Sequence, residues 1–290
     1  MPKPIDYLMQ SQNPDGGWGY RRQAMSYVEP TAAVLLSLPD SSARTRGRDF
    51  LLSLQHGDGG WGIAAMDADS GWMTSWAVRA LAELAADPST LLRSAQDGNA
   101  ITRGVNWLLA EESLKVTDPN DLRIIEELHH INGALVGWSW QPGDASWVHP
   151  TALGILALVA ANRTDEPRVR EAVQYLYDRA VPSGGWNIGN PEMISALIPA
   201  TIQDTAVALL AFAAMKISQD DPYVARSLAF LRDAVARAKT SAELVWGIYA
   251  LRKWNVSVGD AIDRLNALQN EDGSWNHNPF ITAIAVASQK

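Results

Sequence analysis

Apolar and polar positions alternate along this chain in blocks of helical length, and the blocks fall into two kinds. One kind is Ala- and Leu-rich and apolar on nearly every face: EPTAAVLLSL at 29–38, TSWAVRALAEL at 74–84, HPTALGILALVAA at 149–161, QDTAVALLAFAAM at 203–215 and, more weakly, LVWGIYALRKW at 244–254 and FITAIAVASQ at 280–289. A helix with no polar face has to be covered all round, so these six segments predict an inner layer. Alternating with them are segments that keep a polar face, at 3–12, 43–55, 101–113, 165–180, 222–236 and 258–269, which predict an outer layer of amphipathic helices. The stretch from about 86 to 136 is longer than its counterparts and predicts a helical insertion within one domain spanning 1–290.

The joints between blocks are near-copies of one another. SQNPDGGWGY reaches Trp18, LQHGDGGWGI reaches Trp61, VPSGGWNIG reaches Trp186 and LQNEDGSWNH reaches Trp275. Such recurrence marks a repeat architecture. The glycines permit a left-handed turn, Gln12, Gln55 and Gln269 can satisfy groups left open at helix ends, and the Trp packs over the joint. Six hairpins built this way predict an all-α fold, a single (α/α)6 toroid, because closing the ring covers the end faces that an open solenoid exposes.

With 290 residues, 47% of them hydrophobic and 19% charged, the chain can bury an ample core. The longest apolar stretches, such as AVALLAFAAM at 206–215, fall short of the roughly 18 residues of a membrane span. The N-terminus has no basic-then-apolar signal pattern, and the absence of Cys excludes disulfides and thiolate metal sites. A cytoplasmic protein is the expectation. The net charge of −8 opposes nucleic-acid binding and gives no general attraction to anionic lipid, which leaves only peripheral membrane contact open.

Aligned on their first turns, the inner segments place Glu29, Thr74, His149, Gln203, Leu244 and Phe280 at equivalent positions. Pro30 and Pro150 follow Glu29 and His149, as suits a helix start. Parallel inner helices would converge their positive dipole ends on one mouth of the ring, a setting for ionisable groups. The candidate catalytic residues there are Glu29, His149 and Asp204, with Glu29 or Asp204 as proton donor and His149 as its partner. Helix capping accounts for the same residues without catalysis. Gln203 and the loop residues Asp67 and Asp69 are candidates for ligand binding, as are the aromatic Trp76, Trp138, Trp140, Trp147, Trp246 and Phe280, whose faces can stabilise a cation or simply fill the core. His149, His277, Asp67 and Asp69 have the right ligand types for a metal but no recognised spacing, so no metal or other cofactor is expected. The apolar loop NPEMISALIPA at 190–200 is expected to act as a lid or entrance, or else to be a packed loop.

The order Gln, short linker, Gly, one residue, Trp resembles the QW repeat of squalene–hopene cyclases, oxidosqualene cyclases and other class II terpene cyclases. GRDFLLSLQHGDGGW at 47–61 is the best match and Leu265 to Trp275 the second. The resemblance implies a helical toroid and a hydrophobic isoprenoid or other lipid-like ligand. Cyclases of that class start from a DxDD motif whose middle Asp donates the proton. The matching stretch, TIQDTA at 201–206, has Thr201 for the first Asp, Gln203 for the donor, and retains only Asp204. A neutral amide is no general acid. QDDPYVAR at 219–226 lacks the spacing of a class I metal motif and reads as a helix start at Asp221-Pro222, while the zinc site of the related protein prenyltransferases needs a Cys that is absent. Three functions follow: an isoprenoid-processing enzyme whose acid is Glu29, a non-catalytic toroid that binds a lipid or protein, or a carbohydrate-active (α/α)6 enzyme.

Overall fold

Six helices close into an inner ring in the computed structural model, which describes residues 3–87, 95–193 and 196–289. In chain order the helices are α1 (Pro4–Gln10), α2 (Val28–Ser37), α3 (Ser42–Ser53), α4 (Met73–Ala86), α5 (Ala95–Ala110), α6 (Pro119–His129), α7 (Val148–Ala160), α8 (Pro167–Asp178), α9 (Ile202–Ala214), α10 (Pro222–Arg237), α11 (Ser241–Lys253), α12 (Ala261–Ala267) and α13 (Pro279–Ser288). Around the ring α2 packs on α4, then α7, α9, α11 and α13, and α13 returns to α2. Helices α1, α3, α5, α8, α10 and α12 lie outside, each against an inner helix. The fold is an (α/α)6 toroid, as the alternation of apolar and amphipathic blocks predicts.

Helix α6 stands outside that alternation and contacts a two-stranded antiparallel hairpin, β1 (Glu192–Met193) with β2 (Ala196–Leu197). It falls in the region expected to be an insertion, of which 88–94 lie outside the described residues. The hairpin falls in the loop expected to be a lid or entrance, of which 194–195 lie outside them. Asp221 begins α10 as expected, its carboxylate accepting from the Tyr223 and Val224 amides with Pro222 in the first turn.

Each joint is tied twice by its Trp. The indole N–H of Trp18, Trp61, Trp186 and Trp275 donates to the carbonyl ten residues earlier, of Leu8, Leu51, Leu176 and Leu265, at 2.6–2.7 Å. That carbonyl belongs to the third residue from the end of the outer helix, one of the last four, which lack the partner four residues on that an interior carbonyl has. The backbone N–H of the same Trp donates to a Thr hydroxyl on the next inner helix: Thr31, Thr74, Thr205 and Thr282, at 2.9–3.0 Å. Trp138 makes both bonds as well, to Leu108 and Thr151 at 2.9 Å each, so it is a fifth joint and does not line the cavity at the ring mouth.

Two of the three glutamines act across repeats, while Gln269 bonds, among the described residues, only to Gly273 in its own turn. Gln12 donates to Gly16 and to Ala43 at the start of α3, and Gln55 donates to Gly59 and to Ala100 on α5. Gly59 has φ of +99°, and a Cβ there would come within 2.8 Å of the Arg103 carbonyl, so both conformation and space require glycine.

The Trp–Thr bonds set the register of five inner helices, and that register at α4, with the lining of the cavity at α11, corrects two positions. Thr74 and Leu244 are wholly buried in helix packing. The residues equivalent to Glu29 and His149 are instead Trp72 and Ala242, two residues earlier in each case.

Thr151→Val keeps the side chain's shape and removes the acceptor for the buried Trp138 amide. It should lower stability by about 1–3 kcal/mol, read as a fall in the urea midpoint with an unchanged slope.

Candidate active site

All six inner helices begin at the same end of the ring, and their first turns surround a cavity of about 870 Å³. Going round, it is lined by Glu29 on α2, Trp72 before α4, His149 on α7, Gln203 on α9, Ala242 on α11 and Phe280 on α13. Each helix brings roughly half a positive charge to its N-terminal end, which favours polar and acidic groups at this mouth.

Three of the expected residues come together there. Glu29 is 9% exposed, and its Oε2 accepts a short hydrogen bond from the Tyr20 hydroxyl. Burial pushes the Glu29 carboxyl above the ordinary carboxylate range, while Tyr20, His149 and the Trp76 indole pull the other way without cancelling it. The Trp76 N–H approaches that carboxyl but lies outside hydrogen-bond geometry, and has no other partner among the described residues. Tyr20 in turn is driven up by burial and by the facing carboxylate.

His149 is 7% exposed, and its Nδ1 lies 3.8 Å from Asp204 Oδ1. The other Asp204 oxygen accepts from the Thr201 hydroxyl at 2.8 Å, and the same hydroxyl caps α9 by accepting from the Asp204 amide. Thr201, not Asp204, is thus the cap of α9, and Asp204 lines the cavity. The imidazole stacks on Trp140 at 5.7 Å between ring centres, with the edges of Trp72 at 6.1 Å and Trp246 at 6.4 Å.

Beneath the mouth the ring is filled. Trp76 and Trp246, both almost wholly buried, pack on Phe280 at 5.9 and 6.2 Å. One turn deeper, Arg79 of α4 donates to Glu83 at 2.8 Å and to Tyr249 of α11 on the opposite side at 3.4 Å. The cavity is thus a shallow, aromatic-walled basin and not a deep lumen.

The other expected site residues lie elsewhere. Trp147 faces a separate hollow near Ile131 and Tyr175. Asp67 closes its own loop by accepting from the Ile63 and Asp69 amides, and Asp69 is exposed beside it. His277 pairs with Asp272 at 3.0 Å on the surface. The four groups considered as metal ligands are therefore not gathered in one place. Gln203 lines the cavity with an exposed side chain. Tyr20, Trp72 and Arg237 belong to the site without having been singled out. For Trp72 a signal existed, since the spacing of 13 residues from Trp18 to Thr31 recurs from Trp61 to Thr74 and from Trp138 to Thr151. Nothing in the local pattern marks Tyr20 as the partner of Glu29.

Because folding raises the Glu29 pKa, its contribution to stability is complete below the unfolded value near 4.5 and is lost as pH rises through the folded value. Glu29→Gln should match the parent in melting temperature near pH 4.5 and exceed it at mildly alkaline pH, as thermal scans across that range would show.

No family model and no curated protein matches the chain. Among solved structures it is similar to a variant of type II terpene cyclase MstE from Scytonema in complex with geranylgeranyl dihydroxybenzoate, with TM-score 0.66 and 15% identity over 98% of this chain and 94% of that one. It is similar to an α-amylase from Clostridium perfringens, with TM-score 0.67 and 9% identity over 99% and 96% of the two chains. An inactive variant of an α-1,6-mannanase from Salegentibacter gives 0.63 and 8% over 99% and 98%. At these identities the likeness establishes the toroid, and the chemistry has to be read from the residues at the mouth.

Proposed function

We propose that the chain is an isoprenoid-processing enzyme that resembles type II terpene cyclases in starting its reaction by proton transfer, with Glu29 as the acid. The observation that carries this reading is a buried, raised-pKa carboxyl at the edge of a basin walled by Trp72, Trp140 and Phe280. Burial keeps the Glu29 proton in place to higher pH than an exposed carboxyl would, and Tyr20 fixes one oxygen so that the other is free to carry it. Transfer of that proton to a double bond or an oxygen of a polyene leaves a cation on the substrate. Each aromatic face within about 6 Å of such a charge stabilises it by roughly 0.5–2 kcal/mol. His149, oriented by Asp204, then takes a proton from a carbon beside the cation, so that no net proton is consumed. Gln203 binds substrate and transfers nothing.

A second reading draws on the same groups. Two carboxyls at an open, aromatic-lined mouth also suit hydrolysis of a glycoside, with Glu29 as acid and Asp204 as base. One experiment separates the two. The purified protein and its Glu29→Gln variant are incubated with squalene, epoxysqualene and geranylgeranyl diphosphate, and in parallel with α-mannan and α-glucan oligosaccharides. Gas chromatography with mass spectrometry should find a rearranged or cyclised hydrocarbon, with turnover reduced by roughly 10² or more in the variant. Release of reducing sugar, or no product from any polyene, would overturn the cyclase reading.

A further inference from the structure

The wall of the mouth is stitched on one side and open on the other. The start of each of three inner helices bonds to the turn of the next repeat: Val28 N–H to the Ile63 carbonyl at 3.0 Å, Trp72 to Trp140 at 3.2 Å and Val148 to Ile188 at 3.0 Å. Beside α9 the next turn is missing. Helix α10 passes into α11 through Ala238–Thr240 alone, where the corresponding joint between α3 and α4 runs from Leu54 to Trp72. Without a Gly-Trp turn to cover it, the last part of α10 forms the wall, and the cavity continues outward past Phe230, Ala234 and Arg237.

Arg237, an exposed side chain, is the one Arg or Lys among the described residues that line this cavity, and it forms no ion pair with an acid among them. The acids nearby are already engaged. Glu243 turns back to accept from the Thr240 amide and hydroxyl, completing a capping box, Asp204 is held by Thr201, and Glu29 by Tyr20. Arg264 brings a second guanidinium to the same corner, donating to the Ala238 and Val235 carbonyls at 2.7 and 2.8 Å. Lys239 stands beside them, and the three cations border an adjoining hollow floored by Leu244 and Leu268. Arg264 is also paired with Asp260 at 3.2 Å, which leaves Arg237 and Lys239 as the cations of this corner without an ion pair among the described residues.

We propose that the open side is a head-group subsite, and that the ligand is a prenyl chain ending in a carboxylate or phosphate. Arg237 holds the anion, and the hydrocarbon lies inward over Phe230 and Phe280 toward Trp72 and Trp140. A guanidinium suits either oxyanion because its fork of N–H groups donates two parallel hydrogen bonds. The arrangement also fixes direction, since the anion is drawn to the end of the basin away from Glu29 and leaves the remote end of the chain beside the acid. This inference rests on the isoprenoid reading of the site.

Its test is binding, not turnover. Quenching of the intrinsic Trp fluorescence is titrated with geranylgeranyl phosphate, geranylgeranoic acid and neutral geranylgeraniol, for the parent protein and for Arg237→Gln and Arg237→Lys. The anionic ligands should bind about tenfold or more tightly than the alcohol, with a preference that weakens as salt is added. Arg237→Gln should abolish that preference while leaving the affinity for geranylgeraniol unchanged, and Arg237→Lys should retain part of it. Equal affinity of the parent for anion and alcohol, or an undiminished preference in Arg237→Gln, would overturn the subsite and leave the isoprenoid reading standing. Failure of all three ligands to bind would overturn both.

Discussion

Five of the six inner helices depend on a tryptophan whose two N–H groups point in different directions. The indole N–H closes off the end of an outer helix, and the backbone N–H holds a threonine of the inner helix that follows. The second bond does more than add stability. A Thr hydroxyl fixed against the joint prevents its helix from rotating about its own axis. A residue two positions earlier lies roughly 200° round the helix from that Thr, so it has to face the mouth. Glu29, Trp72, His149, Gln203 and Phe280 all bear this relation to their threonines, and all line the cavity. The placement of the site is thus a geometric by-product of how the ring is fastened.

The environment then differentiates residues that the frame treats alike. Glu29 and His149 occupy equivalent positions, yet one is a carboxyl whose proton is held by burial and the other an imidazole sandwiched among indoles with a carboxylate at its side. Burial of a polar group without partners would cost several kcal/mol, and here Tyr20, Thr201 and Asp204 supply those partners.

The alternation of blocks made the ring legible before any coordinates, because a helix apolar on all sides has few places to go. Boundaries were less legible where polar residues open a helix: α11 begins at Ser241, whereas its apolar pattern begins at Leu244, although the Thr240–Glu243 capping box was written in the sequence. Trp138 escaped notice as a joint because the chain between α5 and α7 separates it from Leu108 by thirty residues instead of ten. At the site, Glu29, His149 and Asp204 followed from their place at helix starts. Tyr20 and Arg237 did not, since each reaches the cavity from a joint or an outer helix whose side-chain direction no periodicity encodes. Trp147, Asp67 and Asp69 were drawn in by proximity in sequence, and the loops that hold them point elsewhere.

The filling of the ring below the mouth has a consequence for how such proteins can diverge. Trp76, Trp246, Arg79 and Tyr249 occupy the lumen and make none of the bonds that fasten the joints. The volume of the interior and the integrity of the frame are therefore separate variables, altered by different residues. A lineage can hollow out or refill its centre while its staves stay in register, so one hoop of helices can serve vessels of unlike depth.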